Sequence, residues 1–333
     1  MIDGRTGKMR VYFTIDTETT LGGAWHNGNL KPVSLERTVF GEIGSGSYGI
    51  GLIMDILEEH GFLGTFFVEV FCSYLLGLDP VVAVFDDIAK RGHDAQLHLH
   101  PAYRFYWEFL KGGPRREIDL FFQLPPEEQD SLIRDGVQLF RRLARKSPIA
   151  FRAGCFGASE DTLIALRNNG ILIDSSYNLC YLGQSCGFQQ RGLNAPCMIE
   201  GVREFPVTNF CASPRSYKPL EISAVSVSET MATLRHLRQA GCTDAVLVFH
   251  SFSFLKRRGI GFERCRPDRI VVARFQKLCS ELSKMRDEIE VCVLGNVDLS
   301  APVLSQSQII PSLGWLRPTA RKIVQAVDYI PWV

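Results

Sequence analysis

The sequence predicts an α/β protein whose strands form a closed or nearly closed (β/α) barrel. Strand-like and helix-like segments alternate along most of the 333 residues, which favours a parallel sheet. Seven or eight such units fit within about 285 residues, and polar residues recur where the strands end, as at the catalytic rim of a barrel. An open doubly wound sheet is the alternative, but no glycine fingerprint of a dinucleotide site follows the first strand.

Short apolar runs rich in β-branched and aromatic residues indicate the strands. The predicted strands are residues 11–15, 64–68, 94–99, 149–152, 171–174, 204–207, 245–249 and 290–294.

Segments with apolar residues at helical spacing lie between these strands. Helix ends carry the usual signals: Pro126 precedes two glutamates, Ser226 and Glu229 fit a capping box, and Gly241 follows a last turn. The predicted helices are residues 48–60, 80–91, 126–146, 159–169, 226–240 and 266–286.

Two long connections, residues 21–46 and 103–124, interrupt the alternation. Long loops after rim strands usually shape a substrate site. We therefore treat Trp25, Tyr103 and Trp107 as candidates for stacking on a substrate ring. Packing of the loops is the alternative role of these aromatic residues.

The predicted domain organisation is a barrel of residues 1–295 followed by a tail of residues 296–333. The tail contains Trp315, Tyr329 and Trp332. We expect it to pack on the barrel or on a partner subunit. A lid over the site or a helix on a membrane surface is the alternative.

Composition argues against several classes of protein. The net charge of +1 gives no basis for nucleic-acid binding through bulk charge. The basic run at residues 256–258 is read as a solvated loop, with phosphate contact as the alternative. No run approaches the roughly 18 apolar residues of a membrane span, and residues 1–10 lack the apolar region of a secretory signal. Ten cysteines form no CxxC pair, so we expect reduced thiols and a cytoplasmic location.

Two pairs of polar residues carry the strongest functional signal. Asp16 and Glu18 follow one predicted strand, and His98 and His100 close another. Side chains at i and i+2 of a strand share a face, so the four groups converge if the strands are close neighbours. Such a group can bind a divalent metal and leave one carboxylate free as a base. The pattern predicts metal-assisted hydrolysis, with a turn cap and a hydrogen-bonded histidine pair as alternatives.

Three further polar residues end predicted strands at the same rim. His250 suits a general acid that protonates a leaving amine, because an unperturbed imidazole titrates near neutrality. A further metal ligand or a packed residue is the alternative. Arg152 would hold and orient the free carboxylate. Asp174 would fix a histidine ring from behind or be purely structural.

These motifs, in this order, resemble those of the NodB-like polysaccharide deacetylases, carbohydrate esterase family 4. The likeness spans roughly residues 10–295. The matching segments are 14–18 for the family's Thr-Phe-Asp-Asp-Gly motif, 64–68 for its second strand, 92–98 for the approach to its histidine motif, 151–154 for its Arg-Pro-Pro-Tyr motif, 174–176 for its fourth motif and 247–251 for its fifth.

The resemblance implies an incomplete (β/α) barrel of about seven parallel strands with long rim loops. It also implies removal of an N- or O-acetyl group from a sugar, and one divalent metal. Zinc is favoured, with Fe²⁺, Co²⁺, Ni²⁺ and Mn²⁺ as alternatives. By position, Asp16 matches the catalytic base, Arg152 the residue that orients it, His250 the catalytic acid and His98 a metal ligand.

The chain differs from the family at two positions of the metal site. Thr17 stands where the family has its second aspartate, and Ala102 where it has its second histidine. Glu18 and His100 are therefore expected to complete the site with His98. Which of the two carboxylates at residues 16 and 18 binds and which abstracts a proton stays open.

The predicted function is metal-dependent removal of an N-acetyl group from an amino sugar or sugar conjugate, in glycan or natural-product biosynthesis. The expected partner is a small-molecule, lipid-linked or nucleotide-linked acetamido sugar, without nucleic acid or a membrane span. A homodimer is left open. The alternatives are a hydrolase of another non-peptide C–N bond (formamide, ureide or amidine) and a non-catalytic carbohydrate-binding relative.

Overall fold

The computed structural model describes residues 7–44, 46–213, 216–259, 261–303 and 308–313. Nine strands form its main sheet: β1 Met9–Thr17, β2 Thr65–Glu69, β3 Asp94–Leu99, β4 Ala150–Ala153, β5 Ile173–Asp174, β6 Cys197–Ile199, β7 Val202–Glu204, β8 Asp244–His250 and β9 Ile289–Cys292. The longer helices are α1 Ile50–Glu58, α2 Leu78–Lys90, α3 Pro101–Leu110, α4 Pro126–Ala144, α5 Glu160–Asn168, α6 Val227–Gln239 and α7 Arg269–Ser283.

Shorter elements lie between these strands and helices. Short α-helices span Leu35–Thr38 and Ser73–Leu76, and 3₁₀ turns span Phe121–Gln123, Gly154–Phe156, Leu179–Tyr181 and Leu294–Asn296. Three two-stranded antiparallel ribbons pair Glu42–Ile43 with Gly46–Ser47, Asn209–Ser213 with Ser216–Pro219, and Leu255–Arg258 with Arg264–Pro267.

The sheet order is β8-β1-β2-β3-β4-β5-β7-β6, and every neighbour from β8 to β7 is parallel. The last strand, β6, is antiparallel to β7, and β9 pairs with the first half of β1. Segments outside the regular strands form hydrogen bonds with β8 at the open edge of the sheet. The N–H groups of Thr208 and Ile222 donate to carbonyls of β8 at 3.0 and 3.2 Å. The prediction of an incomplete (β/α) barrel with about seven parallel strands is confirmed.

Alternation of side chains divides the apolar residues between two layers. One large cluster lies between the sheet and the surrounding helices. A smaller cluster fills the barrel interior, and its buried members are Tyr12, Phe67, Ala150, Ile173, Phe205, Val246 and Leu294. The polar residues at the strand ends lie at the rim, beyond this apolar floor.

Helix α3 and strand β7 are among the elements that differ from the sequence predictions. The connection after β3 begins with α3, because Pro101 occupies the first turn and an apolar face packs inward; the aromatic residues there had suggested a loop. The strand predicted at 204–207 lies instead at Val202–Glu204, where it pairs with β5 on one side and β6 on the other. Pairing partners, which local sequence does not reveal, set the bounds of β7.

The described part of the C-terminal tail contacts the barrel. The Gln308 side-chain oxygen accepts the backbone N–H groups of Asn194 and Ala195 at 2.6 and 2.8 Å, and Asn194 also donates to the Ile309 carbonyl. Trp315, Tyr329 and Trp332, on which the tail prediction depended, lie outside the described residues.

The cysteines and helices bear on two further expectations. All ten cysteines lie in described segments, and none is paired in a disulfide. Across the part of the chain that is described, every helix is too short or too polar to cross a bilayer.

Candidate metal centre

Three of the predicted site residues come together at the rim. Glu18 Oε2 lies 2.6 Å from His100 Nε2 and 3.2 Å from His98 Nε2. Donor atoms of all three residues lie within 4.8 Å of one another. They meet although β2 separates β1 from β3, because both side-chain pairs project from the same end of the sheet.

Each histidine ring is held from behind by an acceptor. His98 Nδ1 donates to the Arg152 carbonyl at 2.8 Å, and His100 Nδ1 lies 2.7 Å from Asp119 Oδ2. Asp119 is itself fixed by the backbone N–H of Ala102 at 3.1 Å. With Nδ1 occupied in this way, Nε2 of both rings faces Glu18. Outer hydrogen bonds of this kind set the tautomer and orientation of metal-binding histidines.

Opposite charges dominate the electrostatics of this group. Burial raises the pKa of Glu18, but the charge of His100 and hydrogen bonds from His100 and His98 outweigh it and hold that pKa well below its usual range. Burial lowers the pKa of His100, whereas the carboxylates of Asp119 and Glu18 raise it to well above its usual range. Glu18 is therefore ionised and His100 protonated.

The donor set fits a divalent transition metal. Two imidazole nitrogens and one carboxylate oxygen, with both rings oriented by outer acceptors, match known zinc sites that leave positions open for water and substrate. Binding would displace the proton on His100, as metal binding to histidine does in general.

Asp16 lies next to this group and contacts Arg152 as the sequence predicts. The fully buried Arg152 donates from Nη1 to Asp16 Oδ1 and Thr14 Oγ1, both at 2.8 Å. Its other nitrogens donate to the carbonyl and hydroxyl of Ser175, also at 2.8 Å. The guanidinium is thus fixed on both sides, and the Asp16 carboxylate is paired with a buried cation.

His250 lies at the mouth of the site, in register with Asp16 on the neighbouring strand. Its Nε2 lies 3.7 Å from Glu18 Oε1, and its side chain is 30% exposed. The ring stacks on Phe252 at a centroid distance of 5.1 Å. An imidazole in this position can reach both solvent and a ligand near Glu18.

The segment after β4 forms a wall against His100. A Cβ added to Gly154 would lie 2.4–2.5 Å from three atoms of the His100 ring, so only glycine fits there. Cys155 and Phe156 then adopt left-handed backbone angles, with φ of 54° and 60°. The exposed Cys155 thiol lies 3.7 Å from Asp119 Oδ2. His100, Asp119 and Cys155 thus form a second group of possible metal ligands.

Asp174 lies elsewhere. It pairs in register with Phe151, so alternation directs it to the side of the sheet opposite Arg152. There its oxygens accept the N–H and hydroxyl of Ser176 at 3.1 and 2.7 Å. This placement differs from the hypothesis that Asp174 fixes a histidine ring.

The three aromatic candidates occupy different surroundings. Tyr103 is buried, with its ring edge-on to His100 at 6.0 Å. Trp25 packs edge-on against Tyr106 at 4.8 Å. Trp107 stacks on Tyr74 at 5.0 Å. Of the three, Tyr103 alone has a ring contact with a metal-site residue in the described part of the chain.

Sequence reasoning missed several residues of the site. Glu69 ends β2 in register with His98, and burial raises its pKa to about 7 against the charges of His100 and His98. Its position at a strand end was a usable signal. Asp119 lies in an irregular segment and Gly154 in a short 3₁₀ turn, and no periodicity marks their contact with His100.

Comparison with known proteins agrees with this architecture. No protein-family model matches the sequence, and no curated protein is significantly similar to it. Among solved structures, the chain is similar to one described as a polysaccharide deacetylase from Mycobacterium smegmatis, with a TM-score of 0.56, 16% identity, and coverage of 99% of this chain and 95% of that one.

Two further structures share the fold. A PuuE allantoinase gives a TM-score of 0.51 at 12% identity, over 88% of this chain and 90% of that one. A structure described as a polysaccharide deacetylase from Pseudomonas aeruginosa PAO1 gives 0.50 at 12% identity, over 87% and 90%. The fold and site thus define an incomplete (β/α) barrel with a candidate metal centre at its rim. More particularly, the fold is that of the polysaccharide deacetylases, as the sequence motifs predict.

Proposed function

We propose that this protein is a metal-dependent N-deacetylase of an amino sugar or sugar conjugate, acting in glycan or natural-product biosynthesis. One observation carries the proposal: Glu18, His98 and His100 converge beside a separate carboxylate, Asp16, which is held by the buried Arg152. Amide hydrolysis at a metal site needs this division between ligands and a base. The polysaccharide deacetylase fold supports the same reading.

Glu18, His98 and His100 would hold the metal, and their nitrogen and oxygen donors favour zinc, with Fe²⁺, Co²⁺, Ni²⁺ and Mn²⁺ as alternatives. When bound, a divalent metal at such a site polarises the acyl carbonyl and acidifies water.

The chain's own residues account for the proton transfers. Asp16 takes a proton from the attacking water, since Arg152 holds one of its oxygens by a hydrogen bond and so orients the carboxylate. The hydroxyl adds to the acyl carbon, and the C–N bond breaks. His250, at the exposed mouth, supplies the proton that the departing amine needs. The products are the free amine and acetate.

Substitution of Asp16 and His98 tests the proposal. Asp16→Asn removes the base and is expected to lower acetate release from acetamido sugars by about 10²- to 10⁴-fold while metal content stays the same. His98→Ala removes a ligand and is expected to lose both metal and activity. Acetate release and elemental analysis measure the two effects.

The exposed His236 on α6 provides a matched histidine control. His236→Ala is expected to keep normal metal content and activity. Near-normal acetate release by both Asp16→Asn and His98→Ala would overturn the proposal.

Hydrolysis of another non-peptide C–N bond is the second candidate, because an allantoinase shares this fold. The same assay separates the two candidates when formamido sugars and ureides are added and formate and the hydrolysed ureide are measured beside acetate. A non-catalytic carbohydrate-binding relative would bind sugar without turnover of any of these compounds.

A further inference from the structure

A strongly cationic ribbon follows His250 along the chain. Residues 255–267 contain five cations and one anion, a net charge of +4, whereas the whole chain carries +1. This segment folds as the antiparallel strands Leu255–Arg258 and Arg264–Pro267. This segment is therefore much more positively charged than the chain as a whole.

The register of the ribbon places like charges opposite each other. Lys256 pairs with Arg266, and Arg258 pairs with Arg264. Alternation then puts Lys256, Arg264 and Arg266 on one face. Like charges at directly opposed positions destabilise an antiparallel pair, and a two-stranded ribbon is only marginally stable by itself. Arg257 and Arg264, whose side chains are exposed, therefore lie on opposite faces of the ribbon.

Aromatic contacts connect the ribbon to the candidate catalytic acid. His250 stacks on Phe252, and Phe252 packs edge-on against Phe262 at 5.4 Å. The Arg257 guanidinium lies over the Phe262 ring, 4.8 Å from its centroid. The ribbon therefore lies beside the mouth of the site.

Apolar packing anchors the base of the ribbon and leaves cationic side chains at the surface. Leu255 and Phe262 are buried against Val33. Arg257 and Arg264 are exposed. This arrangement fixes the backbone and presents the charges to solvent.

A further cation near the ribbon is Arg37, on the short helix Leu35–Thr38. Burial raises the pKa of Cys265, and the guanidinium groups of Arg37 and Arg257 oppose that rise. The charge of Glu263 acts in the opposite direction on the same thiol.

We propose that the cationic ribbon binds the phosphate or diphosphate group of a phosphate-linked amino sugar. The inference rests on the proposed function and specifies its substrate class. In a 2-acetamido sugar 1-phosphate, the phosphate is carried by the carbon next to the one that bears the amide. A substrate with its amide beside His250 would thus place its anionic group near the neighbouring cations. Arginine is well suited to such phosphate recognition.

Direct binding of inorganic pyrophosphate tests the ribbon without using catalysis. Calorimetry would compare the unmodified protein with Arg257→Glu/Arg264→Glu and with Arg257→Lys/Arg264→Lys. The charge reversal is expected to weaken binding by about tenfold or more, and the lysine variant to retain most of it. Binding by the unmodified protein is expected to weaken as salt concentration rises.

Arg142 provides the matched control. It is exposed near the C-terminal end of α4, which precedes β4 and so lies at the end of the barrel opposite the rim. Arg142→Glu is expected to bind pyrophosphate like the unmodified protein. Thermal melting checks that each variant is folded.

Kinetics then connect the ribbon to the substrate. Acetate release would be compared for an N-acetylhexosamine, its 1-phosphate and its nucleoside diphosphate derivative. The charge reversal is expected to lower kcat/KM for the phosphorylated compounds about tenfold more than for the neutral sugar, relative to the unmodified protein.

The outcomes separate the two proposals. Two results would overturn the phosphate site and leave the deacetylase proposal standing. One is equal pyrophosphate binding by the charge-reversed and unmodified proteins. The other is binding of anionic vesicles but not of pyrophosphate. Ribbon-dependent pyrophosphate binding without turnover of any acetamido sugar supports the phosphate site and counts against the deacetylase.

Discussion

At the scale of single residues, the ring of His100 is held in place on three sides. Its two nitrogens lie at hydrogen-bond distance from Glu18 and Asp119, and its ring packs against the backbone of Gly154. A ring held on three sides cannot turn without breaking one of these contacts. This pre-organisation favours metal binding, because less orientational freedom is lost when the metal binds.

Gly154→Ala should therefore disrupt the metal centre. The new methyl group would meet the His100 ring at 2.4 Å, so the ring or the wall must move. We expect metal affinity to fall by about 10- to 100-fold, as it does when an outer partner of a metal ligand is lost. Equilibrium dialysis against Zn²⁺ measures the change.

Gly51→Ala on α1 is the control, since a Cβ there meets open space. It should keep full metal affinity and gain up to about 1 kcal/mol of stability, because alanine favours a helix more than glycine does. Unchanged Zn²⁺ affinity in Gly154→Ala would show that His100 tolerates the displacement.

At the scale of elements, strand pairing brings two buried carboxyl groups together. β5 and β7 are neighbours, and Asp174 is in register with Glu204. Both side chains are fully buried. Burial and the charge of Asp174 raise the pKa of Glu204 well above its usual range, and burial also raises the pKa of Asp174. Burial therefore favours protonation of this pair in the folded protein.

This pairing predicts that folding stability falls as pH rises above about 4.5. The folded protein retains a proton that the unfolded chain releases, so each retained proton contributes a slope of up to about 1.4 kcal/mol per pH unit. Glu204→Gln should remove that part of the slope, because a neutral amide has no carboxyl proton to release as pH rises. Urea unfolding between pH 5 and pH 8 measures the difference.

Glu59→Gln at the exposed end of α1 is the matched control and should follow the unmodified protein at each pH. If Glu204→Gln instead kept the full pH dependence, the carboxyl pair would not be its source.

At the scale of the whole molecule, the candidate metal centre joins parts of the chain that are distant in sequence. Glu18 follows β1, while His98 and His100 lie at the end of β3, about 80 residues later. A metal bound there would cross-link these strand ends only in the folded state. Binding that is specific to the folded state stabilises a protein by mass action.

Added Zn²⁺ should consequently raise the melting temperature. At a free concentration about 100 times the Kd, the gain is about 2.7 kcal/mol in the free energy of unfolding. A chelator should reverse it, and His98→Ala should show no gain. Calorimetric melting with and without the metal tests this, and an equal gain in His98→Ala would place the ion elsewhere.

Local sequence patterns were sufficient to predict most helices and strands. β3 has the predicted bounds, and the ends of α5 lie within one residue of the prediction. Apolar periodicity and glycines at helix ends are local signals, so the elements that they predict are present in the folded protein. The sequence prediction missed α3 because its aromatic residues are also typical of a loop beside a substrate site. The helix is stabilised by the buried packing of Tyr103 and Phe105.

The sequence by itself determined the alternation of strands and helices and the rim position of Asp16, Glu18, His98 and His100, because strand ends and i, i+2 spacing are local properties. The tertiary structure decided which groups meet. Sheet order and register bring Asp119 and Gly154 to the His100 ring and turn Asp174 away from it. Such contacts join segments far apart in the chain, and no local periodicity encodes the distance between them.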